Sequence, residues 1–263
     1  MAGAPHPRLL VEERRRRILE ILEKQERVTV AELSERFGVS AVTARADLDR
    51  LAEHGQLIRS HGGGLIRVTP QLDLPIKVKA SLHHEQKVRI GTAAADLVQD
   101  GETVILDSGT TTMEVARALR RRAFASLTVI TNAIIVAMEL AEQPHVRMVV
   151  LGGIARPPSL SLVGPHAEQL LAEVRADRLF LGVDGFDTDA GMTTPDILEA
   201  QLNALMIKVS RETTVVADAT KFGRRSLSRI AGLEAVDRVI TDDRIDPGMV
   251  ATLRARDLEV IVV

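Results

Sequence analysis

Val39-Ser40-Ala41-Val42-Thr43-Ala44-Arg45-Ala46-Asp47-Leu48 reads as the opening of a helix with two unlike faces. Ser40 is a good N-cap, because its hydroxyl can accept a hydrogen bond from a backbone N–H left unpaired in the first turn. Ala44, Leu48 and Leu51 recur at i, i+4 and i+7, which makes one face apolar. The other face offers Ala41, Val42, Thr43 and Arg45, small or polar residues apart from Val42. A helix with so small a front and one Arg fits a DNA major groove. A second short helical pattern, Val30 to Phe37, precedes it, and Gly38 separates the two with the positive φ that such a turn requires. An ordinary helical hairpin packed on a core has the same pattern.

The residues after this helix narrow the choice. Gly55-Gln56-Leu57-Ile58-Arg59-Ser60-His61-Gly62-Gly63-Gly64-Leu65-Ile66-Arg67 reads as strand, glycine turn, strand. A helix pair followed by a basic hairpin is a winged helix-turn-helix, with Arg59, His61 and Arg67 expected to face the phosphate backbone. Arg14 to Leu65 resembles the amino-terminal domain of DeoR-type bacterial transcription repressors. The resemblance rests on Val28-x-Val30-x-x-Leu33, Phe37-Gly38-Val39-Ser40, Thr43-x-Arg45-x-Asp47-Leu48, Leu51, Gly55 and His61-Gly62-Gly63. It implies contact with double-stranded operator DNA through Arg45 and its neighbours Ser40, Ala41, Val42 and Thr43. The chain departs from the family at Ala46, where a second basic residue is common.

A length of 263 residues suggests two domains, and 45% hydrophobic residues suit a soluble globular chain with a sizeable core. Aromatic residues make up 2%, with no Trp and no Tyr, which argues against base stacking on aromatic platforms. Duplex readout needs no such platforms. With no Cys, disulfides and thiolate metal sites are excluded. No apolar run reaches membrane-spanning length, and the Arg-rich amino terminus has no signal-peptide core, so a cytoplasmic location is expected. The net charge is −2; residues 1–70 hold 12 Lys and Arg against 10 Asp and Glu, and the remainder 22 against 26. The sum matters less than the field on one face. Asp47, Asp49 and Glu53 are expected to point away from DNA.

The run Arg14-Arg15-Arg16-Arg17 opens a first helix placed at about 11–25. Four consecutive residues point around the whole helix. They can form a solvated face paired with Glu12, Glu13 and Glu20, or one or two can touch phosphates. Residues 69–80, with Pro70 and Pro75 and no helical period, are expected to link a DNA-binding domain (1–68) to a second domain (81–263). A helix at about 81–99 begins with His83 and His84, which point apart as neighbours on a helix and make poor joint metal ligands. No metal and no cofactor is expected.

The second domain alternates. Apolar strands are expected at 103–107, 127–131, 146–151, 178–182, 213–217, 237–240 and 258–262, with helices at 112–119, 132–140, 165–173, 196–209 and 247–254. This predicts an α/β fold with a mainly parallel sheet covered on both faces. Ligands of such sheets bind beyond the carboxyl ends of the strands. Polar residues gather there. Asp107-Ser108-Gly109-Thr110-Thr111-Thr112 joins a strand to a helix, and its hydroxyls and free N–H groups suit an anion such as phosphate. A plain capped turn has the same composition. Thr131-Asn132, Gly182-Val183-Asp184-Gly185-Phe186-Asp187 and Ala217-Asp218-Ala219-Thr220-Lys221-Phe222-Gly223 end other strands. Asp184 or Asp187 can accept bonds from sugar hydroxyls, and Lys221, with Arg156 as the alternative, can meet a phosphate as a point charge.

Residues 81–240 are similar to the carboxy-terminal sensor domain of the same family, through Asp107 to Thr112, Thr131-Asn132, Gly152-Gly153, Ser161-Leu-Val-Gly164, Gly182-Val-Asp-Gly185, Thr193-Thr194, Glu199-Ala200 and Ala217 to Gly223. The resemblance implies the fold of ribose-5-phosphate isomerase and release from the operator by a phosphorylated sugar. The expected effector contacts are Asp107, Ser108, Gly109, Thr110, Thr111, Thr112, Asn132, Gly153, Asp184, Gly185, Glu199 and Lys221, and the resemblance implies that Ser161 to Gly164 and Thr193-Thr194 complete the pocket. It also implies a regulator of a carbohydrate-utilisation operon that works as a homo-oligomer, dimer or tetramer. Two rivals stand beside it. One is a sugar-phosphate isomerase with Glu199, Asp107 or Asp184 as base; against it, residues 187–195 lack the Lys of an isomerase loop. The other is a DNA-binding protein whose second domain serves only assembly.

Overall fold

The computed structural model describes residues 10–25, 28–53, 57, 73 and 75–263. The chain divides into two compact units, residues 1–83 and 84–263. The expected wing, including Arg59, His61 and Arg67, lies outside the described residues.

In the first unit α1 spans Val11–Gln25, α2 Val30–Phe37 and α3 Ala41–Glu53. The hydroxyl of Thr29 accepts from the Glu32 amide (3.2 Å) while the Glu32 carboxylate accepts from the Thr29 amide (2.7 Å), a reciprocal cap that starts α2. Gly38 ends α2 at φ 60°, the left-handed conformation expected of it. Ser40 caps α3 as its position suggested, accepting from the Thr43 amide at 3.1 Å. Ile18, Leu22, Val28, Val30, Leu33, Ala44, Leu48, Leu51 and Leu57 form one core.

The arginine run divides its labour. Arg15, Arg16 and Arg17 lie within 3.0, 3.9 and 3.0 Å of Glu12, Glu20 and Glu13. Arg14 instead turns inward, and its Nε donates to Asp47 Oδ2 at 2.5 Å; Arg15 Nε holds Oδ1 at 3.1 Å. Asp47 therefore points away from the open face of α3, because two arginines of α1 hold it. Part of the stretch expected as an irregular linker is helical: α4 runs Ile76–Ser81 after Pro75, with Ile76 and Val78 buried. Six residues make less than two turns, too short for an apolar period to show.

In the second unit α5 is His84–Asp96, β1 Thr103–Leu106, α6 Thr110–Arg120, β2 Leu127–Thr131, α7 Ile134–Leu140 and β3 Val146–Val150. A hairpin comes next, β4 Ile154–Arg156 and β5 Ser161–Val163. Then come α8 Pro165–Ala172, β6 Ala176–Leu181, β7 Gly185–Asp187, β8 Gly191–Thr194, α9 Ile197–Val209 and β9 Ser210–Val216. The chain closes with β10 Ser228–Ala231, β11 Arg238–Thr241, α10 Pro247–Arg254 and β12 Glu259–Val262. Seven strands form one sheet in the order β12-β11-β9-β6-β1-β2-β3. Every pair in it is parallel. The fold is α/β, as the alternating pattern predicted.

Side chains alternate between two cores. Val104, Leu106, Phe180, Val216 and Ile240 pack with Ile90, Val115, Leu119, Val136 and Leu140 of α5, α6 and α7. Ile105, Leu179, Leu181, Val215 and Val239 pack with Leu171, Leu202, Met206 and Leu253 of α8, α9 and α10. Two small antiparallel pieces were not expected: the β4–β5 hairpin, and a sheet ordered β10-β8-β7. Their strands are three or four residues long, below the length at which alternation can be read.

Removing the Asp47 carboxylate leaves Arg14 buried without its partner. Asp47→Ala is expected to cost the helical unit about 3 kcal/mol. The double variant Arg14→Leu, Asp47→Leu is expected to recover most of it. Urea unfolding followed by helical circular dichroism checks both; equal losses in the two variants would show that packing rather than charge holds the helices.

Candidate functional site

Because all seven strands run the same way, their carboxyl ends share one side of the sheet, and polar residues stand at most of them. Asp107 comes after β1, Thr131-Asn132 ends β2, Gly182 comes after β6, Asp218 lies beyond β9 and Asp242 comes after β11. This side is the candidate site.

Asp107 is buried against Gly109 and Gly182; a Cβ at either glycine would lie 3.5 Å from a carboxylate oxygen of Asp107. Burial pushes its pKa up to about 8, opposed by hydrogen bonds from the Gly182 amide and Thr112 and helped by the charges of Glu199 and Asp184. Asp107 Oδ1 is buried and has no hydrogen-bond partner. At neutral pH this carboxyl is mostly protonated.

The loop after Asp107 turns directly into α6. Thr112 Oγ1 accepts from the Gly109 amide (2.8 Å) and lies within donating reach of the carbonyls of Gly109 (2.9 Å) and Asp107 (3.1 Å), which share its one proton. Its hydroxyl therefore staples the loop. The first bond of the helical ladder is Met113 N to Gly109 O, 3.0 Å, so the amides of Thr110, Thr111 and Thr112 precede the ladder at the positive end of the helix dipole. Ser108 reaches Glu199 Oε1 at 3.5 Å.

Glu199, in the first turn of α9, is the centre of a second cluster. Its Oε1 accepts from Ser161 of β5 at 2.7 Å, and Ser161 shares a 2.7 Å bond with Ser159. Its Oε2 lies 3.4 Å from Thr194 Oγ1 and 3.5 Å from Arg156 Nη1. Arg156, on β4, also pairs with Asp196 at 3.0 Å and donates to Ser159 at 2.9 Å. The hairpin thus brings a nearly buried guanidinium to a buried carboxylate. Ser159 and Asp196 are not among the expected effector contacts, and Arg156 stands there only as the alternative to Lys221. The strands of the hairpin that carries Arg156 are too short for a period to show, and nothing local marks its partner 43 residues away.

Lys221 lies 3.4 Å from Asp184 Oδ1. It sits in a single 3-10 turn, Ala219–Lys221, held from two sides. Asp218 accepts from the Thr220 amide at 3.1 Å, and Asp242 from the Ala219 amide at 2.7 Å. The backbone of Asp184 donates to Thr193 O at 3.1 Å, which joins the Lys221 side to the β8 strand next to Glu199. Gly185 opens β7 against Thr193 and Arg224. Asn132 is fully buried; its Nδ2 donates to Leu162 O at 3.3 Å and its Oδ1 has no partner. Gly153, at φ 128°, sits where a Cβ would come within 2.5 Å of Val163 O, so its role is to admit the neighbouring strand.

The structure thus joins Asp107, Ser108, Asp184, Glu199 and Lys221 with the start of α6 around one end of the sheet. Gly153 and Asn132 lie beside the hairpin that brings Arg156 in. Among the described residues no group of three or more His, Asp and Glu is arranged to hold a metal, and His84 lies exposed, 3.6 Å from Glu114. No described helix is long and apolar enough to cross a membrane. In the first unit, Ser40, Ala41, Val42 and Arg45 are exposed on α3 and Thr43 is half-buried.

Residues 14–69 match the DeoR-like helix-turn-helix domain, and residues 82–243 the DeoR C terminal sensor domain. The chain is 40% identical to the "Putative aga operon transcriptional repressor" of Escherichia coli O157:H7, over 95% of this chain and 93% of that one. It is 36% identical to the HTH-type transcriptional regulator GlpR of Haloferax volcanii, over 90% and 92%. The transcriptional repressor AccR of Agrobacterium fabrum is 34% identical over 88% and 89%. These relatives are named as regulators, not enzymes. Among solved structures, ribose 5-phosphate isomerase A of Methanocaldococcus jannaschii superposes on 53% of this chain and 54% of its own, with a TM-score of 0.39 and 18% identity.

Asp107→Asn is expected to stabilise the protein at neutral and alkaline pH. The unfolded carboxyl ionises near 3.8 and the folded one near 8, so between these values the unfolded chain has shed a proton that the folded chain keeps. Wild-type stability therefore falls as pH rises through this window, and the loss is complete above about 8. The difference in thermal midpoint between variant and wild type should grow from pH 4 to pH 8 and then level off. A difference independent of pH would show that Asp107 does not keep its proton.

Proposed function

We propose that this chain, which belongs to the DeoR family of transcriptional repressors, controls a carbohydrate-utilisation operon and leaves its operator when a phosphorylated sugar binds the second unit. The observation that supports this reading most is how each carboxyl group at the strand ends is placed: Asp107 buried, Asp184 beside Lys221 and Glu199 beside Arg156. Three carboxyl groups, Asp107, Asp184 and Glu199, surround a helix N-terminus that favours an anion. Such a set would repel phosphate if all were bare charges. Instead Asp107 holds a proton, Asp184 lies by Lys221 and Glu199 lies by Arg156. The cluster can therefore accept bonds from sugar hydroxyls while the start of α6 keeps its attraction for phosphate.

In this reading Ser108, Gly109, Thr110 and Thr111 hold the phosphate through hydroxyls and amides, and Thr112 keeps their loop in shape. Lys221 supplies the charge, and Asp107, Asp184 and Glu199 meet the sugar, with Asn132, Gly153 and Gly185 shaping the surrounding backbone. The protein acts in the cytoplasm as a homo-oligomer, dimer or tetramer, that presents paired helix-turn-helix units to repeated half-sites. Arg45 and its neighbours on α3 enter the groove; Arg59, His61 and Arg67 of the expected wing contact the flanking phosphates. The sugar phosphate acts by binding one arrangement of the oligomer more tightly than another. The connection at 69–80 transmits the change.

An anisotropy titration with DNA from upstream of the protein's own gene, with a panel of sugar phosphates added, tests the whole reading. Release by one compound is the expected result; specific binding that no compound alters would leave the second unit to assembly alone. Lys221→Ala is expected to raise the compound's half-release concentration at least about ten-fold, as for a lost charge-assisted bond, with operator affinity unchanged. Arg45→Ala is expected to weaken operator binding at least about ten-fold with sugar-phosphate affinity intact. Unchanged operator affinity in that variant would remove α3 as the reading helix.

A further inference from the structure

Val42 is the large aliphatic residue exposed on the described open face of α3. Val42 is 71% exposed. A lone exposed aliphatic residue means little, but the position of this one is specific. At about 100° per residue, Val42 and Ala46 both point roughly opposite to the buried Ala44, Leu48 and Leu51. Ala46, also exposed, sits one turn beyond Val42 on the same line. Exposed Asp49 continues that line a turn further, contrary to its expected direction, so the apolar contact is confined to the start of α3. The cap from Ser40 and the Arg14–Asp47 pair fix the start and the rotation of the helix, so this outward line is set by the fold.

The geometry points to Val42 as the residue that selects a thymine in the operator, by packing its isopropyl group on the thymine 5-methyl, with Ala46 extending the contact along the groove. This inference rests on the reading of α3 as the groove helix. Of the base edges displayed in the major groove, only thymine presents an apolar group; the rest are donors and acceptors. An isopropyl group gains from burying that methyl, and it withholds water from a polar edge without replacing the lost hydrogen bond. Selection therefore works both for thymine and against its alternatives. Val42 has a short side chain, so the backbone must approach closely. Ala41 beside it and Ala46 one turn on are small enough to permit that approach, which a long basic side chain at 46 would hinder. Ala46 stands about 6 Å further along the axis, against about 3.4 Å per base pair, so its contact falls one or two steps away.

The test uses duplexes selected by the full-length wild-type protein from a random pool. Each thymine of the selected site is replaced in turn by deoxyuridine, which removes one methyl and nothing else, and affinity is measured for wild type and Val42→Ala. At one thymine, or two neighbouring ones, wild-type affinity is expected to fall about four-fold, the effect of one buried methyl group. Val42→Ala, a surface change that leaves the core intact, should bind the thymine duplex correspondingly less well and show little further loss with deoxyuridine there. Wild type indifferent to every replacement, or a variant that loses as much as wild type at each position, would overturn the inference and leave the groove reading standing. A pool that yields no enriched sequence would overturn both.

Discussion

All seven strands of the central sheet point the same way, and the charge distribution of the second unit depends on that one constraint. Both faces of such a sheet are covered by helices, so the strand interiors carry mainly apolar side chains: Val104, Ile105 and Leu106 are fully buried. Charge is admitted at the two ends. At the amino ends it is closed on itself. Glu102, Arg178, Glu212, Arg238 and Glu259 alternate in sign across β1, β6, β9, β11 and β12, with Arg178 2.9 Å from both Glu102 and Glu212, and Arg238 bonded to Glu212 and 2.7 Å from Glu259. Each strand's charge is answered by its neighbour's, which stitches five strands together. At the carboxyl ends the polar groups are met by loops instead: the start of α6, the β4–β5 hairpin and the turn that bears Lys221. Loops can differ among relatives of one fold while the sheet does not, so the end built from loops is the one that can be fitted to a ligand.

The same constraint explains what was legible. Buried parallel strands read as short apolar runs, and amphipathic helices between them show the helical period, so the chain itself displays the alternating fold. The polar residues after each run, Asp107, Asn132, Asp184 and Lys221, stood out for the same reason. The hairpin and the three-stranded sheet did not, because strands of three or four residues have no measurable period. Without them Arg156 reads only as an alternative to Lys221, since its pairing with Glu199 and Asp196 comes from the fold. The short α4 escaped notice within a proline-bearing stretch on the same ground.

Asp47 shows a different limit. An acidic residue on a helix expected to meet DNA reads as a residue that must face elsewhere. Asp49 does not, and stands exposed two turns beyond Val42 on the same side. Asp47 does face elsewhere. The reason lies 33 residues earlier, on another helix, where Arg14 abandons the solvated face shared by its neighbours. A run of four arginines cannot reveal which member turns inward; the core packing of α1 on α3 decides it. The consequence for the groove face is direct. An apolar face alone tolerates some rotation of a helix, whereas a clasp by both Arg14 and Arg15 on one carboxylate fixes the angle at which Val42 and Ala46 point outward.

Both units therefore depend on carboxyl groups that are neutralised inside the protein, but by different means. Asp47 and Glu199 are met by guanidinium groups, Asp184 by an ammonium and Asp107 by a proton. A proton is set by the solution as well as by the fold. As pH rises through about 8 the Asp107 carboxyl gains a negative charge next to Glu199 and Asp184, at the very end of the sheet proposed to hold an anion. In the proposed reading, the burial that keeps Asp107 neutral is what lets an acid-rich site accept a phosphate. By the same reading, alkaline conditions oppose anion binding through this group.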